Sequence, residues 1–233
     1  MKKINSKRKE AFAKVDSNKV YSVKDGIALA KDAAFAKFDE TFDVAFRLGV
    51  DPRHADQMIR GAIVMPAGTG KKVNVVVITS GENISKAEAA GADLVGGDDI
   101  IQKIQGGWMD FDRVIATPDM MGKIGRIARI LGPRGLMPNP KLGTVTTDVE
   151  KAVSEQKAGK VEYRTEKTGI VHVPFGKKSF EDAALMDNFK AIASAIVRAK
   201  PASAKGTYIK SVTISTSMGP GVKLDTFEVS SIG

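Results

Sequence analysis

Five basic side chains lie close together between Thr117 and Gly143, and basic groups at such spacing can bind phosphate. They are Lys123, Arg126, Arg129, Arg134 and Lys141, against one acid, Asp119, which leaves a local charge of +4. Apolar residues recur there at helical spacing, at Met120, Ile124, Ile127 and Leu131. One amphipathic helix is therefore predicted, ending at Gly132 as a left-handed cap before Pro133. Charge alone does not separate phosphate contact from a solvated helix face that leads into a rigid loop.

Two other segments combine residue types that suit RNA. Lys37 and Phe38 place a cation beside an aromatic ring, between a predicted helix and a predicted strand. Segment 215–219, Ser-Thr-Ser-Met-Gly, places small hydroxyls and a glycine at a strand end, where an RNA backbone can approach closely. A buried strand-start Phe and an ordinary hydroxyl-rich turn are the structural alternatives. His172 alternates with valines and should stand on a sheet face, for RNA contact or for ordinary exposure.

The patterns of a nucleotide-binding enzyme are incomplete. Gly68-Thr69-Gly70-Lys71 resembles part of a phosphate loop, but Met65 stands where that loop needs a glycine. Lys72 stands where it needs serine or threonine. No GxGxxG motif follows the apolar strand predicted at 73–79, so a dinucleotide site lacks support. The glycines are better interpreted as a hinge between domains, and no enzymatic activity is expected.

Metal and cofactor sites are not expected either. The chain has no cysteine and only two histidines, His54 and His172, which is too few for a thiolate or histidine-rich site. Five aspartates could be imagined as a metal or acid/base cluster, but their positions at helix starts and turns favour capping. They are Asp93, Asp98, Asp99, Asp110 and Asp112.

The composition points to a polyanionic partner. The chain has 233 residues and a net charge of +9, as is usual for proteins that bind nucleic acid. Its apolar runs, such as Val75–Ile78, are far shorter than the roughly 20 residues that span a bilayer, so no membrane partner is expected. No apolar signal-peptide core follows the basic N-terminus, and the absence of cysteine suits a reducing cytoplasm. These features predict a soluble, cytoplasmic nucleic-acid binder.

The order of predicted elements indicates an α/β fold with two domains. Strands and helices alternate through 69–158, as in a small α/β layer domain. This region is inserted into an α+β domain formed by 1–68 and 159–233, and the two connections would favour hinge motion. The split domain holds 24 basic and 16 acidic residues, a net of +8, and the insert holds 12 and 11, a net of +1. Attraction to a polyphosphate should therefore act mainly on the split domain.

Local signals predict several boundaries. Capping boxes are expected at Ser85 with Glu88, at Thr147 with Glu150, and at Ser179 with Asp182. Lys167-Thr168-Gly169 predicts a β-hairpin between strands 161–165 and 170–173. A last strand is expected over 222–229.

Five segments, in this order, resemble the ribosomal protein L1 family of the bacterial large subunit. They are AKFDETFDVAFRLGVDPRHADQMIRG, GADLVGGDDIIQKIQGGWMDFD, TPDMMGKIGRIARILGPRGLMPNPKLGTV, KTGIVHVPFGK and KGTYIKSVTISTSMGPG. The resemblance implies a split RNA-binding domain and an inserted Rossmann-like domain. It also implies binding to 23S rRNA in the mobile L1 stalk, help for exit-site tRNA to leave, and repression of the protein's own mRNA. The expected free state is a monomer.

Matched residue by residue, the family's rRNA contacts fall on nine positions. They are Lys37, Phe38, Asp43, Lys167, Ser211, Thr216, Ser217, Met218 and Gly219, and His172 is a tenth candidate. The family commonly has Thr where this chain has Ser217, so the hydroxyl is kept and a methyl contact is lost. Arg126, Arg129 and Arg134 remain as secondary RNA or tRNA contacts.

Overall fold

The computed structural model describes residues 6–232. Its helices are α1 (Ser6–Ala13), α2 (Val23–Ala33), α3 (Asn83–Ala89), α4 (Asp98–Gln105), α5 (Met121–Ile124), α6 (Ala128–Leu131), α7 (Val149–Lys157), α8 (Asp182–Arg198) and α9 (Thr226–Ser231). Its strands are β1 (Thr41–Leu48), β2 (Arg60–Val64), β3 (Val75–Ile78), β4 (Leu94–Gly96), β5 (Arg113–Ala116), β6 (Lys160–Arg164), β7 (Ile170–Lys177), β8 (Ile209–Thr216) and β9 (Val222–Leu224). The fold is therefore mixed α/β.

The chain divides into two compact units. The inserted unit is Lys71–Lys160, and the outer unit comprises the described residues up to Gly70 and from Val161 onward. The predicted domain boundaries lie two residues from these division points. The two-domain arrangement itself stays a prediction.

The outer unit is built on a four-stranded antiparallel sheet in the order β7-β1-β8-β9. Alternating apolar and polar residues over 42–47 predict a strand with one buried face, and Phe42, Val44 and Phe46 of β1 are fully buried. The sequence also predicts an apolar stripe on the helix that ends before Pro201. This stripe of α8 is buried against the same face, where the rings of Phe46 and Phe189 stack with centroids 6.2 Å apart. Burying one such side chain stabilises the fold by about 1.5–3 kcal/mol.

The inserted unit contains a parallel sheet in the order β4-β3-β5. All four residues of β3 are buried. Val76 and Ile78 pack in a cluster with residues of α4, whereas Val75 and Val77 pack in another with residues of α3 and α7. The nearly continuous β-branched run over 73–79 predicts a strand buried on both faces, which the structure confirms. Helices on both sides explain why the residues of β3 are all apolar.

Two predicted strand arrangements are wrong. β6 pairs with β2 in a separate two-stranded sheet, while β7 joins β1. The two strands of the predicted hairpin are paired with each other through an isolated bridge between Thr165 and Val171. They do not form a ladder, because β6 and β7 belong to different sheets. The predicted strand over 222–229 ends at Leu224, and the Asp225 side chain then caps α9.

The predicted caps are also wrong. Ser85 lies inside α3, and the cap of α7 is Asp148 rather than Thr147. The Ser179 hydroxyl donates to Asp39 instead of capping α8, which follows Glu181. For Ser179 the cause is that a small polar side chain can also bond to a group distant in the chain.

The amphipathic segment 118–131 is not one continuous helix. It alternates between 3-10 turns (Pro118–Met120 and Gly125–Ile127) and the short helices α5 and α6. Two internal glycines lower helix propensity there. Gly132 is right-handed, with φ −58°, and the left-handed residue is Gly135, with φ +71°. The predicted apolar face is nevertheless buried, at all four of its positions.

Candidate nucleic-acid interface

One face of the four-stranded sheet is turned away from the apolar core. We call it the open face, and it comprises Asp43, Ala45, Arg47, Ile170, His172, Pro174, Ser211, Thr213, Ser215 and Lys223, all exposed or half-buried. Strands of eight residues make this surface about 25 Å long. An extended surface with hydroxyl and basic side chains can follow a nucleic-acid backbone.

At one end of the open face, Glu40 connects the loop 34–40, which precedes β1, to the loop 217–221, which follows β8. One carboxylate oxygen accepts a hydrogen bond from the backbone N–H of Ala36 at 2.7 Å, and the other accepts from the N–H of Met218 at 3.0 Å. The side chains carried by these loops project outward, since Phe38 is 56% exposed and Met218 is 50% exposed. The alternative of a strand-start Phe38 buried in the core is therefore excluded.

The Glu40 carboxylate is held in its charged form. Burial by itself would raise the pKa of Glu40, but the N–H groups of Ala36 and Met218, the Thr216 hydroxyl and the charge of Lys178 outweigh it. Together they keep the pKa below its usual value. The two loops are thus tied together by a negative charge enclosed in the protein.

Ser217 reinforces this connection. The N–H of Thr41 donates to the Ser217 hydroxyl at 3.0 Å, and the N–H of Ser217 donates to the Thr41 carbonyl at 3.0 Å. The hydroxyl that Ser217 shares with the family's threonine is therefore used within the fold.

Two predicted contacts shape the loop. Thr216 is only 3% exposed, so its side chain lies under the loop rather than on the surface. A Cβ added at Gly219 would overlap the Thr216 hydroxyl. Glycine at 219 therefore lets the loop close over Thr216, which leaves Ser217 and Met218 outermost.

Asp43 and His172 lie toward the middle of the open face. Partial burial raises the pKa of Asp43, while the nearby His172 acts against that rise. The His172 Nε2 atom is 3.7 Å from a carboxylate oxygen of Glu166, and its side chain is 53% exposed. A carboxyl group and an imidazole at this position could accept from or donate to 2′-hydroxyls.

The remaining predicted contacts in this unit lie at the other end of the sheet. Ser211 is paired with Arg47 across β8 and β1. Lys167 is exposed in the loop before β7, which is attached to β1 by the bond from the Leu48 N–H to the Gly169 carbonyl. Apart from the buried Thr216, the sequence-predicted contacts of the outer unit thus occupy both ends and the middle of one surface.

A comparison with protein families decides the identity of this chain. The model of the ribosomal protein L1p/L10e family matches residues 29–220, which include every residue of the open face except Lys223. The chain belongs to this family. Family members are structural constituents of the ribosome that bind rRNA and associate with the large subunit, and they are not enzymes.

The basic segment 117–143 belongs to the inserted unit, whereas the open face belongs to the outer unit. Arg126, Arg129 and Arg134 are exposed there. Lys123 is 2.7 Å from Asp98 in an ion pair, which removes one of the five predicted cations from the available charge. Contacts of the three arginines with RNA or tRNA stay a prediction.

The sequence did not identify some residues that contribute to the open face and to the Glu40 connection. Arg47 and Thr213 stand on the open face. The alternation along β1 predicts Arg47 on the same side as Asp43, but Arg47 was not among the predicted RNA contacts. No local signal identified Glu40, because a single acid before a strand is usually solvated.

Among the described residues, no group of three or more acidic or histidine side chains could hold a metal ion. In the same part of the chain, no helix is long and apolar enough to cross a bilayer.

Proposed function

We propose that this chain binds 23S rRNA in the mobile L1 stalk through the open face and the loops at its ends. The observation that carries the proposal is the Glu40 connection, which ties the loop that carries Phe38 to the loop that carries Met218 and leaves both side chains exposed. Exposed apolar side chains that a core does not need, next to the unburied cation Lys37, suit a partner with bases and phosphates.

The proposed contacts divide by chemistry. Lys37, Lys167 and Arg47 would meet phosphates, whereas Ser211, Asp43 and the exposed backbone near Gly219 would meet sugars. Phe38 and Met218 would pack on bases or riboses. Thr216 would act indirectly, by supporting the loop above it. Such an interface recognises a folded RNA by its shape, with few contacts to base edges.

Replacing Lys37 with alanine tests this directly. We expect the slope of log affinity against log salt to fall by about one phosphate contact, since each neutralised phosphate releases counterions. The measurement is a titration of an L1-stalk rRNA fragment at several salt concentrations. Lys190→Ala is the matched control, because Lys190 is an exposed lysine on α8, the helix packed on the other side of the sheet. Equal slopes for both variants would exclude the contact.

A second part of the proposal concerns tRNA. In the family's exit-site role, the exposed Arg126, Arg129 and Arg134 of the inserted unit would contact departing deacylated tRNA. We expect the triple alanine variant to bind stalk rRNA with nearly wild-type affinity and to slow tRNA release from reconstituted ribosomes. Lys86→Ala, at an exposed lysine of the same unit, is the control. Unchanged release kinetics in the triple variant would contradict this role.

The proposal also includes translational repression. The free protein, as a monomer, would bind a similar RNA structure in its own messenger through the same surface. Because one surface would serve both RNAs, their binding would be mutually exclusive, and repression would begin when rRNA sites are filled.

A further inference from the structure

A cleft lies at the Lys167 end of the outer unit, and Lys167 is the one lining residue to which the contacts derived above give a role. It is about 930 Å³ in volume and lies between the loop 52–58 and the segment 164–168. Its lining residues are Pro52, Arg53, Met58, Arg164, Thr165, Glu166, Lys167 and Thr168. A volume near the upper end of ordinary ligand sites is enough for one or two nucleotides.

The walls of the cleft are held in place by hydrogen bonds. The Thr165 N–H and hydroxyl both donate to the Ile59 carbonyl, at 2.9 and 3.2 Å, which joins the two segments. The first loop is braced internally, because the Asp51 N–H donates to the Gln57 side chain at 2.8 Å and the Arg53 N–H donates to Asp51 at 3.0 Å. The cleft is therefore formed before any partner arrives.

The lining combines an apolar platform with positive charge. Met58 is 39% exposed, and the Arg164 guanidinium donates to its sulfur at 3.7 Å, so the two side chains lie together. Arg53 and Lys167 form no ion pair with any other residue in the 6–232 range. Three cations against the single acid Glu166 make the cleft positive.

The cleft also adjoins the open face. Glu166 lines the cleft and lies 3.7 Å from His172 of the open face. An RNA strand that crosses the open face at His172 would therefore pass next to the cleft.

We propose that the cleft receives one unstacked nucleotide of the RNA that binds the open face. The base would pack against Met58 and the Arg164 guanidinium, and Arg53 and Lys167 would hold the flanking phosphates. This inference rests on the proposed rRNA-binding function and adds a specific pocket to it. RNA is favoured over an apolar peptide because the lining is cationic and is continuous with the open face.

The test uses the full-length chain and a stalk rRNA fragment with single 2-aminopurine substitutions. For the wild-type protein we expect one 2-aminopurine to become brighter on binding, because its base leaves the stack. Met58→Ala should remove that increase and weaken binding about tenfold with an unchanged salt slope, since stacking contributes without charge. Arg53→Ala should lower the salt slope by about one contact.

Controls separate this inference from the proposed function. Phe227→Ala, at a side chain 87% exposed on α9, and Lys190→Ala should behave as wild type. If Met218→Asp abolishes binding while both cleft variants match wild type and no 2-aminopurine brightens, the open face stands and the cleft inference is overturned. If wild-type protein fails to bind the fragment, both are overturned. Thermal unfolding of each variant shows whether a loss of binding is a loss of fold.

Discussion

Replacing Met218 with aspartate is expected to reduce affinity for the stalk rRNA by about 100-fold, because like charges brought together at an interface cost several kcal/mol. Met218 is half exposed, and its backbone N–H is held by Glu40. The substitution therefore places a carboxylate beside the proposed phosphate path without removing a core side chain. Phe38→Ala should weaken binding about tenfold through lost stacking, with the fold intact.

The measurement is an equilibrium titration of the stalk fragment, together with circular dichroism of each variant. Phe227→Asp is the matched control, because it introduces the same charge at an exposed apolar position on α9. A Met218→Asp variant that binds as tightly as Phe227→Asp would show that the open face is not the rRNA site.

Replacing Glu40 with glutamine is expected to have the second large effect, on stability as well as binding. The amide can accept one of the two backbone hydrogen bonds, but its NH₂ group would face the other N–H donor. Leaving a buried donor unsatisfied costs about 1–3 kcal/mol. The loops that carry Phe38 and Met218 would also separate more easily, so rRNA affinity should fall about tenfold, which is the equivalent of 1.4 kcal/mol.

The stability effect should depend on pH in a defined direction. The pKa of Glu40 is lower in the folded chain than in the unfolded chain, so its carboxylate stabilises the fold at pH values above the ordinary glutamate pKa of about 4.3. That contribution is lost as the pH falls through the lowered folded-state pKa. The difference in free energy of unfolding between wild type and Glu40→Gln should thus be largest near pH 7 and shrink in acid.

Urea unfolding followed by circular dichroism, near neutral pH and in acid, measures this difference. Hydrogen exchange of the Ala36 and Met218 amides then shows whether the lost stability is located at the Glu40 connection. The single tryptophan, Trp108, lies in the inserted unit. The urea unfolding transition followed by its fluorescence is therefore an internal control, and we expect Glu40→Gln to change that transition little. A difference independent of pH would mean that Glu40 does not act through its charge.

Much of the fold follows from local sequence patterns. Period-two alternation identified the buried side of β1, and the continuous apolar run identified β3 as buried on both faces. The sequence predicts a helix over 98–105 and a strand over 113–116, and these are the bounds of α4 and β5. In β1 the burial repeats with the period of the strand, and in β3 every position is buried, so residues adjacent in the chain carry the information.

Local patterns gave wrong predictions where a polar side chain forms its hydrogen bond with a residue distant in the chain. Ser179 looked like a helix cap, but its hydroxyl donates to Asp39, 140 residues away. The hairpin signal at 167–169 was a true turn, yet the strands on either side of it found partners in different sheets.

For the candidate site, the sequence by itself determined the family and the residue types that suit RNA, because these lie in contiguous segments. Only the tertiary structure decided that Thr216 lies beneath the surface, and that Glu40 joins the loop of Lys37 and Phe38 to the loop of Ser217 and Met218. The bond between Glu40 and Met218 spans 178 positions of the chain. A buried carboxylate must find donors wherever the folded backbone supplies them, and no pattern of adjacent residues encodes which donors those are.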